Sequence, residues 1–263
     1  MTYQTIETQL TQGIAVIWLN RPEIRNALNN TMIAEITDAV SLAIDDDDAR
    51  AIVLAGRGKA FCAGADLNWM KTVSGMNADE ARSDSGHLAH LLRLLYESSK
   101  PTVARVHGAA YAGGMGLVSA CDIAIASHDA RFCLSEVKLG LLPAMISPYV
   151  LKAMGERHAR RFFLSGEVFD AAEAYRIGFV NDLAAPEELD GTINALLGHL
   201  LLGAPSALSE TKRLIRDMVG QEISDDLTAD TAARIAQARA STDGQEGIAA
   251  FFEKRTPAWV RKA

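Results

Sequence analysis

Long apolar runs are missing from this 263-residue chain. None approaches the roughly 20 residues that a membrane-spanning helix needs, so no membrane partner is expected. Positive charge is also in short supply. Lys and Arg total 26 against 33 Asp and Glu, a net charge of −7. Nucleic acid and anionic membranes demand a basic face, and this balance argues against both as partners. The one basic cluster, His158 with Arg160 and Arg161, fits a solvated helix face. Cysteine is scarce. Cys62, Cys121 and Cys133 are odd in number, and their spacings suit neither a zinc site nor a disulfide framework. All three sit in apolar runs, as small buried hydrophobes do, and that usage suits a reducing compartment. The opening MTYQTIETQL has no basic-plus-apolar leader pattern, so a cytoplasmic location is the expectation. There is no Gly-x-Ser-x-Gly elbow, no His-Glu-x-x-His and no phosphate loop. The six histidines are scattered; His87 and His90 share a helix face without a third ligand, and the acidic run Asp45 to Asp48 fits a solvated loop. No metal site is expected.

What is present is strand–turn–helix rhythm. Residues 3–20 predict a hairpin turning at Gln12-Gly13. Met32, Ile33, Ile36, Val40 and Ala43 recur at helical spacing behind a capping Asn29 or Asn30. Strands are expected at 51–55, 101–106, 122–126 and 131–134, which places residues 50–140 in the α/β class with a geometry recurring about every fifty residues. Residues 71–85 are polar and predict a mobile loop or a loosely held helix. Beyond Met145 strand signal nearly vanishes, and helical segments broken at glycines run to residue 254. The expected organisation is an α/β core over 1–202 and a C-terminal helical region over 203–263.

Two small-residue turns follow two apolar strands: Ala63-Gly64-Ala65-Asp66 and Ala112-Gly113-Gly114-Met115-Gly116. Glycine permits positive-φ turns and close approach of a ligand to bare backbone. A turn that opens a helix presents free N–H groups, which suit an anion. Two such turns facing one another would make an oxyanion hole. Tight packing without a ligand is the alternative use of either turn alone. Gly114-x-Gly116-x-x-Ser119 is only a broken dinucleotide fingerprint. Glu136 follows a short strand and precedes an apolar stretch. Desolvation there would raise its pKa and suit it to proton transfer near neutrality; an exposed strand-end Glu is the alternative.

Together these stretches resemble the enoyl-CoA hydratase/isomerase (crotonase) superfamily over almost the full length. Asn20-Arg21-Pro22 with Asn26-Ala27-Leu28 resembles its first CoA-contact segment. Phe61 to Leu67 and His107 to Gly114 resemble its two oxyanion motifs, Arg131 to Gly140 the segment with its glutamate, and Phe251 to Arg255 its C-terminal CoA motif. The resemblance implies a spiral of repeated ββα units with a helical trimerisation region. It implies Glu136 and the backbone N–H groups of Ala65 and Gly113 as the catalytic set. It implies CoA contacts from Arg25, Ala27, Ala63, Asp66 and Leu67, and from Phe251 and Lys254, often those of a neighbouring subunit. An acyl-CoA substrate, a homotrimer or dimer of trimers, and no metal or redox cofactor follow from the same resemblance.

One departure matters. Hydratases of the standard type carry a first glutamate three residues after the second oxyanion glycine, and here that position is Gly116. With Glu136 alone, the implied chemistry divides between an enoyl-CoA hydro-lyase and a Δ3,Δ2-enoyl-CoA isomerase. A CoA-thioester-binding trimer without turnover is a third reading. Phe132 to Val137 and Pro143 to Val150 are similar to bacterial methylglutaconyl-CoA and γ-carboxygeranoyl-CoA hydratases. Those substrates carry a distal carboxylate. Asp66, Ser135, Ser147 and Tyr149 are the candidate polar neighbours of such a site.

Overall fold

The computed structural model describes residues 2–260. The strands β1 (Ile6–Thr11) and β2 (Ile14–Leu19) form the expected hairpin, with Gln12 and Gly13 both at positive φ, as a two-residue turn requires. Helix α1 (Asn30–Asp45) starts where the Asn29 side chain accepts the Met32 N–H. Strand β3 (Ala51–Gly56) follows, then α2 (Leu67–Val73) and α3 (Ala78–Glu97). Next come β4 (Thr102–Val106), β5 (Ala109–Tyr111), α4 (Gly113–Ala120), β6 (Ile123–Ser127) and β7 (Arg131–Cys133). Helix α5 (Ser147–Ser165) breaks at Gly155, where φ is 75°. The chain continues through β8 (Phe169–Asp170), α6 (Ala171–Arg176), β9 (Asp182–Ala184) and α7 (Leu189–Leu202). It ends in α8 (Pro205–Met218), α9 (Asp225–Ala240) and α10 (Thr242–Glu253).

A large sheet has the order β1-β2-β3-β4-β6-β9 and is parallel from β2 onward; a small one has the order β5-β7-β8. The chain passes from a long strand of the first to a short strand of the second, β4 to β5 and β6 to β7. After β3 it does the same through Cys62, which bridges Ala110 in parallel. Helices then carry it back. This is the ββα repeat, but β3, β4, β6 and β9 start at residues 51, 102, 123 and 182, so there is no fixed fifty-residue period.

Alternation along the parallel strands explains the core. Ile52, Leu54, Ala104 and Val106 point to the side covered by α1, α3, α4 and α5. Their neighbours Ala51, Val53 and Val103 point the other way, against Leu189, Ile193 and Leu197 of α7. Both faces are dry, as parallel strands require. Of the two expectations for 71–85, a mobile loop or a loosely held helix, the structure shows helix: the end of α2 and the start of α3. Asn77 caps α3 by accepting the Asp79 and Glu80 N–H groups, and the Glu80 carboxylate accepts the Asn77 N–H. The helix-only region expected after Met145 also contains β8 and β9, whose two and three residues are too few for a readable alternation.

The axes of α7 and α8 meet at 104° around Gly203-Ala204-Pro205. Neither α8 nor α9 buries a residue in the single chain. Polar contacts hold α8 to the core: Lys212 Nζ lies 2.6 Å from Asp122 Oδ2 and donates to the Lys100 carbonyl at 2.8 Å. Among the described residues no single helix is long and apolar enough to cross a membrane.

Asn26 locks the segment that leads into the candidate site. It is fully buried at φ 57°. Its Oδ1 accepts the Arg21 N–H at 2.8 Å, and its Nδ2 donates to the carbonyls of Arg57 at 2.9 Å and Ala60 at 2.8 Å. Asn26→Ala removes all three bonds and puts alanine in a left-handed conformation. It is expected to lower unfolding free energy by about 3 kcal/mol, read from urea denaturation.

Candidate active site

The two small-residue turns lie against each other. A Cβ on Gly64 would come within 3.2 Å of the Ala112 Cβ, and one on Gly114 within 2.6 Å of the Cys62 carbonyl oxygen. Gly64 itself sits at φ 97°, where a side chain is strained. Bare backbone is what allows the turns to approach.

The Gly64 carbonyl accepts the Leu28 N–H at 2.7 Å, and the Asp66 N–H donates to the Leu28 carbonyl at 2.8 Å. A trans peptide points its N–H opposite to its C=O, so the Ala65 N–H faces away from Leu28. There the Ala112 carbonyl accepts the Gly116 N–H at 3.2 Å inside α4, and the Gly113 N–H projects outward from the helix start. Among the described residues neither the Ala65 nor the Gly113 N–H has an acceptor. Ala112 holds this arrangement at φ 47° and ψ −117°, an uncommon conformation for alanine, and its N–H is anchored on the Cys133 carbonyl at 2.8 Å. Two unpaired donors, one of them at the start of α4, can hold an oxygen that gains negative charge if both face it.

Cys133 ends β7, and three residues later Glu136 opens a single 3-10 turn, Glu136–Leu139. Its Oε2 is buried with no hydrogen-bond partner. Desolvation raises the Glu136 pKa above the ordinary carboxylate range, only partly offset by its own backbone N–H. An unpartnered carboxyl with a raised pKa is equipped to take and return a proton.

The residues expected to contact CoA separate into two groups. Ala63 donates its N–H to the Arg25 carbonyl at 2.9 Å, so Arg25, Ala27 and Ala63 converge beside the first turn. Leu67 opens α2 just past Ala65 and is 74% exposed. The Asp66 side chain is spent on structure. It is buried, caps α2 through the Asn68 and Trp69 N–H groups and pairs with Arg21 at 2.7 Å. Burial alone would raise its pKa, but Arg21 and those N–H groups hold it below the usual range. Phe251 and Lys254 stand apart. They lie at the end of α10, which packs on α8 and α9, and beyond it the Trp259 carbonyl accepts from Arg50, at the opposite end of β3 from the small-residue turns. One chain does not bring them to Glu136.

Other groups carried weaker sequence signals. Asp84 is a buried carboxylate on α3 that accepts from Asn30 Nδ2 at 2.5 Å and Trp69 Nε1 at 3.3 Å. It links three segments that border the two turns. Its i, i+4 register with Leu88 and Leu92 was the available signal. Tyr149 points elsewhere, edge-on to Tyr96 at 5.5 Å, in the wall of a cavity of about 480 Å³ that also contains Cys121, Asp122, Lys152 and Lys212. Neither turn nor Glu136 lines that cavity. Among the described residues no cluster of three or more His, Cys, Asp or Glu could hold a metal ion.

Known proteins resemble this chain along its length and in its fold. The sequence model of the family described as Enoyl-CoA hydratase/isomerase matches residues 9–262. The chain is 33% identical to the crotonyl-CoA hydratase of Syntrophomonas wolfei, covering all of both chains. It is 32% identical to the 2,3-dehydroadipyl-CoA hydratase of Escherichia coli, covering 94% of each. The crystal structure of an enoyl-CoA hydratase from Shewanella pealeana superposes with a TM-score of 0.95 at 39% identity, over 97% of this chain and 96% of that one. The ββα spiral, the paired turns and a match along nearly the whole sequence place this chain in the enoyl-CoA hydratase/isomerase family.

Proposed function

We propose that the protein is an enoyl-CoA hydro-lyase in which the N–H groups of Ala65 and Gly113 hold the thioester oxygen and Glu136 is the acid/base. The observations that carry this reading are two unpaired N–H groups on turns that touch, and a Glu136 carboxyl with a buried, unpartnered Oε2 three residues after the Cys133 that anchors the second turn. Glu136 takes a proton from water, and the hydroxide adds to Cβ. The electron pair of the C=C bond moves onto the thioester oxygen as an enolate. When the enolate collapses, the same proton passes from Glu136 to Cα. Each preorganised donor is worth roughly 3–4 kcal/mol to such an anion in a dry site. Arg25, Ala27, Ala63 and Leu67 line the approach for the CoA moiety. Phe251 and Lys254 serve a neighbouring subunit within a homotrimer or dimer of trimers. The exposed Val219, Ile223, Phe251 and Phe252 favour that assembly.

Relatives are named for a short neutral enoyl chain and for 2,3-dehydroadipyl-CoA. A branched or carboxylated chain, methylglutaconyl-CoA foremost, is the substrate class we assign here, resting on the segment from Pro143 to Val150. The second reading is a Δ3,Δ2-enoyl-CoA isomerase. Gly116 favours it, because one carboxylate suffices to move a proton from Cα to Cγ.

Loss of the conjugated thioester absorbance, followed with methylglutaconyl-CoA, 2,3-dehydroadipyl-CoA and crotonyl-CoA, tests the assignment. Turnover of at least one is expected. Binding without turnover of all three and of a 3-enoyl-CoA would contradict it. Glu136→Gln is expected to lower kcat by about 10²–10⁴-fold with ligand binding retained.

Stability gives an independent check. A carboxyl whose folded pKa is raised favours the native state while protonated. Its contribution is present below the unfolded pKa and is lost as pH rises through the folded pKa. Glu136→Gln is therefore expected to raise Tm above that of the parent at pH 8, and the difference should shrink at pH 4.5. A constant difference across that range contradicts a raised Glu136 pKa.

A further inference from the structure

Position 116 is not empty space. A Cβ placed on Gly116 would lie 2.2 Å from Ile146 Cγ2, 3.0 Å from Ile146 Cβ and 3.5 Å from Leu92 Cδ2. Real carbon atoms do not approach to 2.2 Å, and the obstacle is a branched, stiff side chain. Ile146 is buried and held at the start of α5, where its carbonyl accepts the Tyr149 and Val150 N–H groups at 3.1 Å each. It therefore has little freedom to withdraw.

Gly116 stands about one helical turn beyond Gly113, so the Cβ positions of the two residues share a face of α4. Leu88 of α3 lies near the Cβ position of Gly113 and Leu92 near that of Gly116, so one α3 row lines both positions. Ile146 completes this wall. The segment that bears it begins at Glu136, and the Leu141 N–H donates to the Glu136 carbonyl at 3.0 Å, folding the intervening loop back. The carboxyl and the methyl groups are thus supplied by one stretch of chain.

We propose that Ile146 is a specificity-determining residue, which fixes this site as a one-carboxylate site and sets how the enolate is discharged. Its side chain takes the volume that a carboxylate on α4 would occupy, and it presents hydrocarbon where a second water could otherwise bind. Protonation from Glu136 at Cα or Cγ needs no group on that wall. Water addition to Cβ does need a water held in place, and the Ile146 wall offers it no hydrogen bond. Ile146 therefore shifts the balance toward proton shuttling for simple enoyl chains. Efficient hydration is left to substrates whose own distal polar group orders the water. This inference rests on the proposed enoyl-CoA chemistry.

The test compares the parent with Ile146→Ala, Ile146→Val, Gly116→Glu and the double variant Ile146→Ala/Gly116→Glu. Two rates are read on each: hydration of crotonyl-CoA, and conversion of a 3-enoyl-CoA to the 2-enoyl product. Ile146→Ala is expected to raise the hydration-to-isomerisation ratio by about tenfold, Ile146→Val by less. The double variant is expected to hydrate crotonyl-CoA about 10²-fold faster than Ile146→Ala. Thermal unfolding supplies a readout apart from activity. Gly116→Glu alone should lower Tm sharply, and adding Ile146→Ala should recover much of the loss, a coupling that only direct contact produces. Normal stability of Gly116→Glu, or an unchanged ratio in both Ile146→Ala and the double variant, overturns the proposal. If no form turns over any enoyl thioester, the proposed function falls with it; turnover with an unchanged ratio removes this inference alone.

Discussion

The peptide planes Gly64–Ala65 and Ala112–Gly113 each commit their carbonyl to a neighbouring N–H, from Leu28 and Gly116 respectively, and so turn their own N–H the other way. Much else in the structure serves that orientation. The ββα repeat brings the segment after β3 and the segment after β5 side by side through the Cys62–Ala110 bridge. The Asn26 amide fixes Arg21, Arg57 and Ala60 around the first turn, and the Cys133 carbonyl fixes Ala112 in the second. Arg21 ties the Ala27 segment to the end of the first turn, donating to the Ala27 carbonyl and pairing with Asp66.

Charge is handled by separation. Carboxylates with structural duties are satisfied: Asp66 by Arg21 and two N–H groups, Asp122 by Lys212 and Thr102. Glu136 keeps one oxygen buried and unpartnered, which costs stability and shifts its titration upward. Such local instability persists where surrounding packing enforces it. On the neighbouring wall the solution is the reverse. Ile146 fills the α4 side with hydrocarbon, and no second carboxylate fits there.

The sequence carried the hairpin, the long parallel strands, α1 and the C-terminal helices, because the strands are short apolar runs bounded by turn residues and the helices keep a period of 3.6. It carried the two small-residue turns as turns after apolar strands, while the oxyanion role came only from the family resemblance. It did not carry β5, β8 or β9, whose two or three residues are fixed by pairing with distant segments. It left 71–85 open between loop and helix, because polar composition masked the capping box of α3 and Asp84 on its buried face. Asp66 was legible as part of a motif, but its partner Arg21 lies 45 residues away and no local pattern shows that its side chain is consumed by the pair. Ile146 was legible only as an apolar residue in a helix. Its importance comes from the chain between them folding it onto Gly116.

The account stands on two N–H groups polarising one oxygen. The most direct measurement is the isotope-edited infrared spectrum of crotonyl-CoA labelled with ¹³C at the thioester carbonyl, bound to the Glu136→Gln protein so that turnover does not consume it. Two preorganised donors in a dry site predict a carbonyl stretch at lower frequency than in water. A bound ligand whose stretch matches or exceeds the aqueous value would show that Ala65 and Gly113 do not hold the thioester oxygen.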